Sequence, residues 1–298
     1  MKLRKLQLSD GLMLVVVLIW AVNYSLIKIS LKEIPPMPFN GIRLLLSSAI
    51  LVIWFLITEK KFKVSKEHIP KILLLSISGY TIYQYIFIKG IDLTNASNTA
   101  VLFGASPILI SLFSVFAKHE KIKPIAWLGI LMGFLGVYIT VSSKTGGLSI
   151  SLKSLKGDLL IFAAVILWAH YSVSARPLLK TYSPLKFTML TMTIGSLLFF
   201  PFTIGELQKL PFAAISFKAW FCMVFSGIMA LSVALIIWFY SVQKIGNSQT
   251  AVYSNLPPAL AIVFAWLLLS ESISPFLLIG AAVIFLGISF TRKGREIP

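Results

Sequence analysis

Carboxylates are scarce in this chain. Ten Asp and Glu stand against 27 Lys and Arg, and charged residues of both signs make up only 12% of the 298 residues. Soluble domains carry roughly 25%, so the charge is too thin to cover a water-exposed globule of this size. Cysteine is nearly absent as well: Cys222 is alone inside an apolar run, which excludes an intrachain disulfide framework. The only histidines are His68, His119 and His170. With no HExxH motif, no acid pair at one depth and a single thiol lacking an evident base, the reactive constellation of an enzyme is missing. No GxxxxGK[ST] loop is present either, so ATP does not drive the protein directly. No cofactor and no metal site are expected.

Apolar residues are abundant, at 57%, and the mean hydropathy is +0.89. A bilayer-spanning helix needs about 20 mostly apolar residues. Ten such segments are expected near 9–31, 38–58, 70–91, 95–117, 124–142, 157–180, 184–204, 217–242, 247–270 and 274–291. Pro36, Pro38, Pro70, Pro124, Pro184 and Pro275 stand at their starts, where a missing N–H is harmless. Met1-Lys-Leu-Arg-Lys5 before an apolar run resembles a signal peptide. The run is too long for one and lacks a small-residue cleavage site, so it reads as a retained first span. About two-thirds of the Lys and Arg fall on one side of this arrangement, which places both termini in the cytoplasm. The net charge of +17 is therefore topology rather than a nucleic-acid footprint, and the lipid bilayer is the expected partner.

The two halves of the chain match. Asp10 and Trp20 recur at one constant offset as Asp158 and Trp168, with Lys28 answering to Arg176. At a slightly larger offset, Ser97 corresponds to Ser248, Thr99-Ala100-Val101 to Thr250-Ala251-Val252 and Pro107 to Pro258. Glu120, Gly129 and Phe134-Leu135-Gly136 then correspond to Glu271, Gly280 and Phe285-Leu286-Gly287. Units 1–143 and 157–298 each hold five spans. Five is odd, so the second unit inserts upside down relative to the first, the inverted-repeat design of many transporters. The expected fold is all-α and integral to the membrane: ten transmembrane helices as two inverted five-helix repeats around a central cavity.

Several of these motifs carry a resemblance. Leu18-Ile-Trp-Ala-Val-Asn-Tyr-Ser-Leu-Ile-Lys28 resembles the first-span signature of the EamA family in the drug/metabolite transporter superfamily. Arg43, the Pro107…Glu120…Gly129…Gly136 series with its second copy, and Gly157-Asp158…Trp168-Ala169 are similar to that family as well. The resemblance covers essentially the whole chain. It implies a secondary transporter in the plasma membrane that exports amino acids or related small metabolites by alternating access. Drugs or other organic solutes are the alternative cargo, and an oligomeric state is not implied.

The resemblance also implies that spans one, three, four, six, eight and nine line a cavity. Polar and aromatic residues at membrane depth in those spans are the candidates, because such groups are costly in lipid and often functional. They are Trp20 and Asn23; Tyr80, Tyr83 and Gln84; Ser106 and Pro107; Trp168, His170 and Tyr171; Trp238; and Tyr253, Asn255 and Pro258. Trp20 and Trp168 read either as symmetric aromatic walls or as packing. Tyr80, Tyr83 and Gln84 share a helix face, which leaves Tyr85 to packing. His170 reads as a titrating ligand or as a bonded structural residue, and Asn23 and Asn255 as ligands or as polar glue between helices. Pro107 and Pro258 free the carbonyls of Phe103 and Ser254; either these face a substrate ammonium, or the prolines only kink the helices.

The charged residues have quieter readings. Lys28, Arg43, Lys89 and Arg176 lie near span ends, from which they snorkel to the interface; the first three also gather near the outer face, where they would attract anions. Glu120 and Glu271 either cap the helix that follows each or act as gates. All ten acids are expected at span ends or in loops. A pump for cationic drugs, which would use a carboxylate within the membrane, is therefore disfavoured. Proton coupling would need His170 or an end-located acid.

Overall fold

A computed structural model describes residues 8–117, 121–142, 152–293 and 295–296. Its helices, named in chain order, are α1 (Leu8–Ser30), α2 (Pro36–Thr58), α3 (Lys66–Leu93), α4 (Ala96–Phe116), α5 (Pro124–Ser142), α6 (Leu152–Ala175), α7 (Pro184–Leu207), α8 (Phe217–Ile245), α9 (Leu256–Leu269) and α10 (Pro275–Lys293). Among the described residues, seven helices are long and apolar enough to cross a membrane. Pro124–Gly136, Leu256–Leu269 and Pro275–Phe290 are shorter apolar helices. Lys121–Ile122 and Arg295–Glu296 form a two-residue antiparallel pair.

Local chemistry sets the helix ends. Proline occupies the first turn of α2, α7 and α10, as its fixed φ and missing N–H favour. The Ser183 and Ser216 side chains cap α7 and α8, accepting the N–H groups of Lys186 and Ala219. Gly246 closes α8 at a φ of +83°, a left-handed conformation that glycine adopts without strain.

Polarity is inside out relative to a soluble protein. Leu18, Ile57, Leu131, Trp266, Leu267 and Leu286 point outward and are more than half exposed. Asn40, Ser47, Thr99, Thr191 and Ser232 are fully buried. Hydroxyls tie the helices together: Ser47 to Ser232 at 2.7 Å, Ser48 to Ser196 at 2.8 Å, and Ser30 to the Ala219 carbonyl at 2.8 Å. In a membrane such bonds are each worth about 0.6–2 kcal/mol. A multi-pass membrane protein has this distribution.

Helices pack in pairs: α5 along α10, α2 against α7, α1 against α8 and α9, and α6 against α3 and α4. The α5–α10 pair is joined by glycines. A Cβ built on Gly136 lies 2.8 Å from the Gly280 carbonyl oxygen, and one on Gly287 lies 2.6 Å from that of Gly129. Two helices each carry a π-helical turn, Ile77–Ile82 in α3 and Ser226–Val233 in α8. Such turns widen the helix and free backbone carbonyls.

Asp158, expected at a span end or in a loop, lies in the second turn of α6. Asp158 is fully buried, accepting hydrogen bonds from the Thr94 hydroxyl and, at 3.3 Å, the Asn98 amide. The junction between α3 and α4 closes over it, with Thr94 at the end of α3 and Asn98 in the first turn of α4.

Two outcomes follow. Gly287→Ala drives a Cβ into the α10-facing backbone of α5 and lowers the thermal-unfolding midpoint in detergent, at a cost of about 1–3 kcal/mol; Gly11→Ala, with open space around it, does not lower it. Glu33 accepts the Ser216 N–H and hydroxyl, each at 2.7 Å, and these bonds hold its carboxyl below the ordinary range. Its contribution is complete above the ordinary carboxylate range and is lost as pH falls through the lowered value. Glu33→Gln therefore lowers Tm at neutral pH, and the difference from wild type closes on acidification.

Candidate functional site

A cavity of about 80 Å³ lies at the centre of the bundle, lined by α1, α2, α3, α4, α6, α8 and the start of α9. Its wall begins with two tryptophans, Trp20 from α1 and Trp168 from α6, backed by Trp238 from α8. Trp20 meets Trp168 edge-on, with centroids 5.8 Å apart, and both contact Trp238, at 5.4 and 5.6 Å. The Trp20 indole N–H donates to the Ala230 carbonyl at 3.1 Å, an acceptor within the π-helical turn of α8. Tyrosines extend the wall. Tyr83 lies 6.2 Å from Trp168, and Tyr171 stands 5.5 Å from Tyr80 with the two hydroxyls 3.3 Å apart. Tyr171 also reaches the Thr191 hydroxyl at 3.0 Å. Gly79, in the π-helical turn of α3, lies flat on the Tyr171 ring, where a Cβ would come within 2.4 Å of a ring carbon.

Trp20, Asn23, Tyr80, Tyr83, Gln84, Ser106, Trp168, Tyr171 and Pro258 all line this cavity. Asn23 Oδ1 is buried and has no hydrogen-bond partner among the described residues. Trp238 lies behind the lining, fully buried against the other two indoles. Tyr85 points outward, 41% exposed and against Phe202.

Other expected residues lie elsewhere. His170 is outside the lining, packed edge-on against Phe113 and 3.4 Å from the Ser174 hydroxyl, because the helical turn that points Trp168 and Tyr171 inward points it toward α4. Tyr253 is half-buried outside the lining. Pro107 is outside it too, its carbonyl accepting the Ser111 hydroxyl at 2.6 Å. The carbonyl freed by Pro107 is not offered to a ligand: the Ser106 hydroxyl takes the Phe103 oxygen. The Asn255 side chain and all of Glu120 lie outside the described residues. Glu271 caps a helix, but not the α10 that follows it. Its carboxylate accepts the N–H groups of Ala96 and Ser97 at 2.9 and 3.1 Å and the Ser97 hydroxyl at 2.6 Å, at the start of α4. The first residue of α10 is Pro275, which has no N–H to offer, whereas the open first turn of α4 lies alongside α9.

Sequence reasoning missed Tyr24 and Phe87 and read Arg43 as a span-end residue; all three are in the lining, as are Phe103 and Ser254. Arg43 does not snorkel. It is 1% exposed, with Nη1 donating to Ser226 Oγ at 2.9 Å and Nη2 to Asn40 Oδ1 and Gln84 Oε1 at 2.5 and 2.7 Å. The signal was its position two turns into α2, about 10 Å from the helix start, too deep for a residue at a water interface.

The profile of the EamA-like transporter family matches this chain twice, at residues 7–142 and 155–292. The chain belongs to the EamA-like transporter family. The uncharacterized transporter YoaV of Bacillus subtilis (strain 168) is 25% identical over 285 residues, spanning 95% of this chain and 97% of its own length. An uncharacterized transporter of Archaeoglobus fulgidus is 27% identical over 292 residues, spanning 96% of this chain and 97% of its own length. A protein crystal structure superimposes with a TM-score of 0.68 at 20% identity over 95% of each chain, which shows a shared fold. This family member is thus a membrane-embedded transporter of small molecules and not an enzyme.

Glu271→Ala leaves the first amides of α4 without their acceptor. The expected loss is about 1 kcal/mol, read as a lower unfolding midpoint in detergent, with Glu271→Gln intermediate.

Proposed function

We propose that this EamA-family protein is a secondary transporter that exports amino acids or related small metabolites across the plasma membrane by alternating access. The observation that carries this reading is the central cavity, whose lining is drawn from both family-matched segments and meets at Trp20 and Trp168, residues in corresponding positions. Ten spans in two inverted repeats, units 1–143 and 157–298, complete the proposal. Three features support it. The helix pairings map onto themselves when α1–α5 are exchanged for α6–α10. The π-helical turns fall in the corresponding helices α3 and α8. Ser48 and Ser196, in the corresponding helices α2 and α7, bond to each other. Two such half-molecules can rock about the shared cavity, which opens first to one face and then to the other. The basic residues favour cytoplasmic termini.

Within the cavity, Trp20, Trp168 and Tyr83 supply apolar and cation–π surface, and Asn23, Gln84, Ser106 and Tyr171 supply polar contacts. Pro258 belongs to the same wall. The Glu271 cap, joining the end of α9 to the start of α4, is placed to hold the two halves together at one face and to act as a gate.

Proteoliposomes containing the purified protein are expected to exchange a zwitterionic amino acid or a related metabolite from a broad panel. Trp168→Ala and Tyr83→Ala reduce that exchange roughly tenfold or more, about 1.4 kcal/mol of lost interaction, while expression and Tm stay near wild type. Folded wild-type protein that moves no member of the panel counts against the transport reading. Equal loss of folding and exchange in the two variants returns those rings to packing.

A further inference from the structure

Among the described residues that line the cavity one is charged, and it is positive. No Asp, Glu, Lys or His accompanies Arg43 there. Its hydrogen-bond acceptors are a serine hydroxyl and two carboxamide oxygens, all neutral. Nε is buried and has no partner among the described residues, and no carboxylate there comes within ion-pair distance of the guanidinium. A buried cation held only by neutral groups is costly, and the cost falls when a carboxylate arrives. Arginine does not shed its charge by deprotonation.

The aromatic wall starts at this charge. The guanidinium carbon lies 6.0 Å from the centroid of Phe87; Phe87 stacks on Tyr83 at 5.8 Å, and Tyr83 leads to Trp168 at 6.2 Å. A small molecule with an acidic end and an apolar body therefore finds both halves of its chemistry in one continuous surface.

We propose that Arg43 anchors a carboxylate of the cargo, and that the cavity selects monocarboxylates with an apolar or aromatic body over amides and amines of the same shape. The proposal rests on the transporter reading of this cavity. Free acids and amino acids share the carboxylate, and probes with and without an α-ammonium tell them apart.

The test is thermal-shift titration of the detergent-purified protein with phenylacetate, L-phenylalanine, phenylacetamide and phenethylamine. Phenylacetate is expected to bind about tenfold or more tightly than phenylacetamide or phenethylamine, as a charge-assisted hydrogen bond implies. L-phenylalanine binding more tightly than phenylacetate identifies amino acids as the carboxylate source; the reverse order identifies free acids. Either order supports the anchor. Arg43→Gln brings the carboxylate-to-amide ratio close to one, and Arg43→Lys restores part of it. Because the ratio is taken within one protein sample, a partly unfolded variant does not mimic the result.

Gln84→Glu gives a second reading that does not depend on removing the arginine. It is nearly isosteric and places a carboxylate where Gln84 Oε1 now sits, 2.7 Å from Arg43. Tm rises and the carboxylate preference disappears. Wild-type protein that binds phenylacetamide as well as phenylacetate, or that no carboxylate shifts at millimolar concentration, overturns the proposal. So does an undiminished preference in Arg43→Gln or Gln84→Glu. Proteoliposomes separate the anchor from the transport reading. Arg43-dependent binding without movement of any carboxylate leaves the anchor standing and removes the transport reading. Movement of phenylacetamide as fast as phenylacetate does the reverse.

Discussion

Lipid offers no hydrogen bonds. A polar group in a membrane-spanning segment is therefore satisfied by protein or by a water-filled space, and each unsatisfied group costs several kcal/mol. The interior of this protein follows from that. Serines and threonines that would face water in a soluble helix turn inward, and many reach across to a neighbouring helix, as Ser47 does to Ser232 and Ser30 to the Ala219 carbonyl. Leucines and isoleucines occupy the outer surface without penalty. Charged groups obey the same constraint more severely. Glu271 sits on open helix amides, and Lys28 donates to the carbonyls of Ile91 and Asp92 at the end of α3.

The cavity is where the constraint is locally met in a different way. Regular helices satisfy their own backbone and leave little for a ligand. Around the cavity the helices are irregular: π-helical turns in α3 and α8, a break in α4 at Gly104, and a tight turn at Val252–Asn255 before α9. These irregularities are tolerated where the backbone lines a cavity or is buried in protein. They bring Gly79 against Tyr171 and offer the Ala230 carbonyl to Trp20, so the shape of the pocket depends on them. Trp20 and Trp168, backed by Trp238, then form a wall that is large and rigid.

Helix positions and the membrane class were legible in the sequence because lipid demands long apolar runs, and composition records them directly. The inward face of α3 was legible as well. Tyr80, Tyr83 and Gln84 recur at helical spacing, and the structure brings all three into the lining while Tyr85 faces out. Failures came where a residue's environment is set by another helix. Arg43 has an ordinary span-end appearance, but Ser226 from α8 and Gln84 from α3 enclose it. Glu271 skips the helix after it and caps one distant in sequence. His170 and Pro107 share helices with lining residues but point to other neighbours, since one residue of rotation moves a side chain by about 100°.

Sequence alone therefore determined that this chain lives in lipid, where its helices run, and which of its corresponding residues repeat, because hydropathy and periodicity are properties of a single segment. Only the tertiary structure decided which polar groups share a space. That depends on helix rotation and crossing, which are set by packing between segments such as the glycine contacts of α5 and α10. The scarcity of carboxylates was visible from the first count. Its meaning at the centre of the protein, a buried guanidinium with no acid beside it among the described residues, required three helices to be folded together.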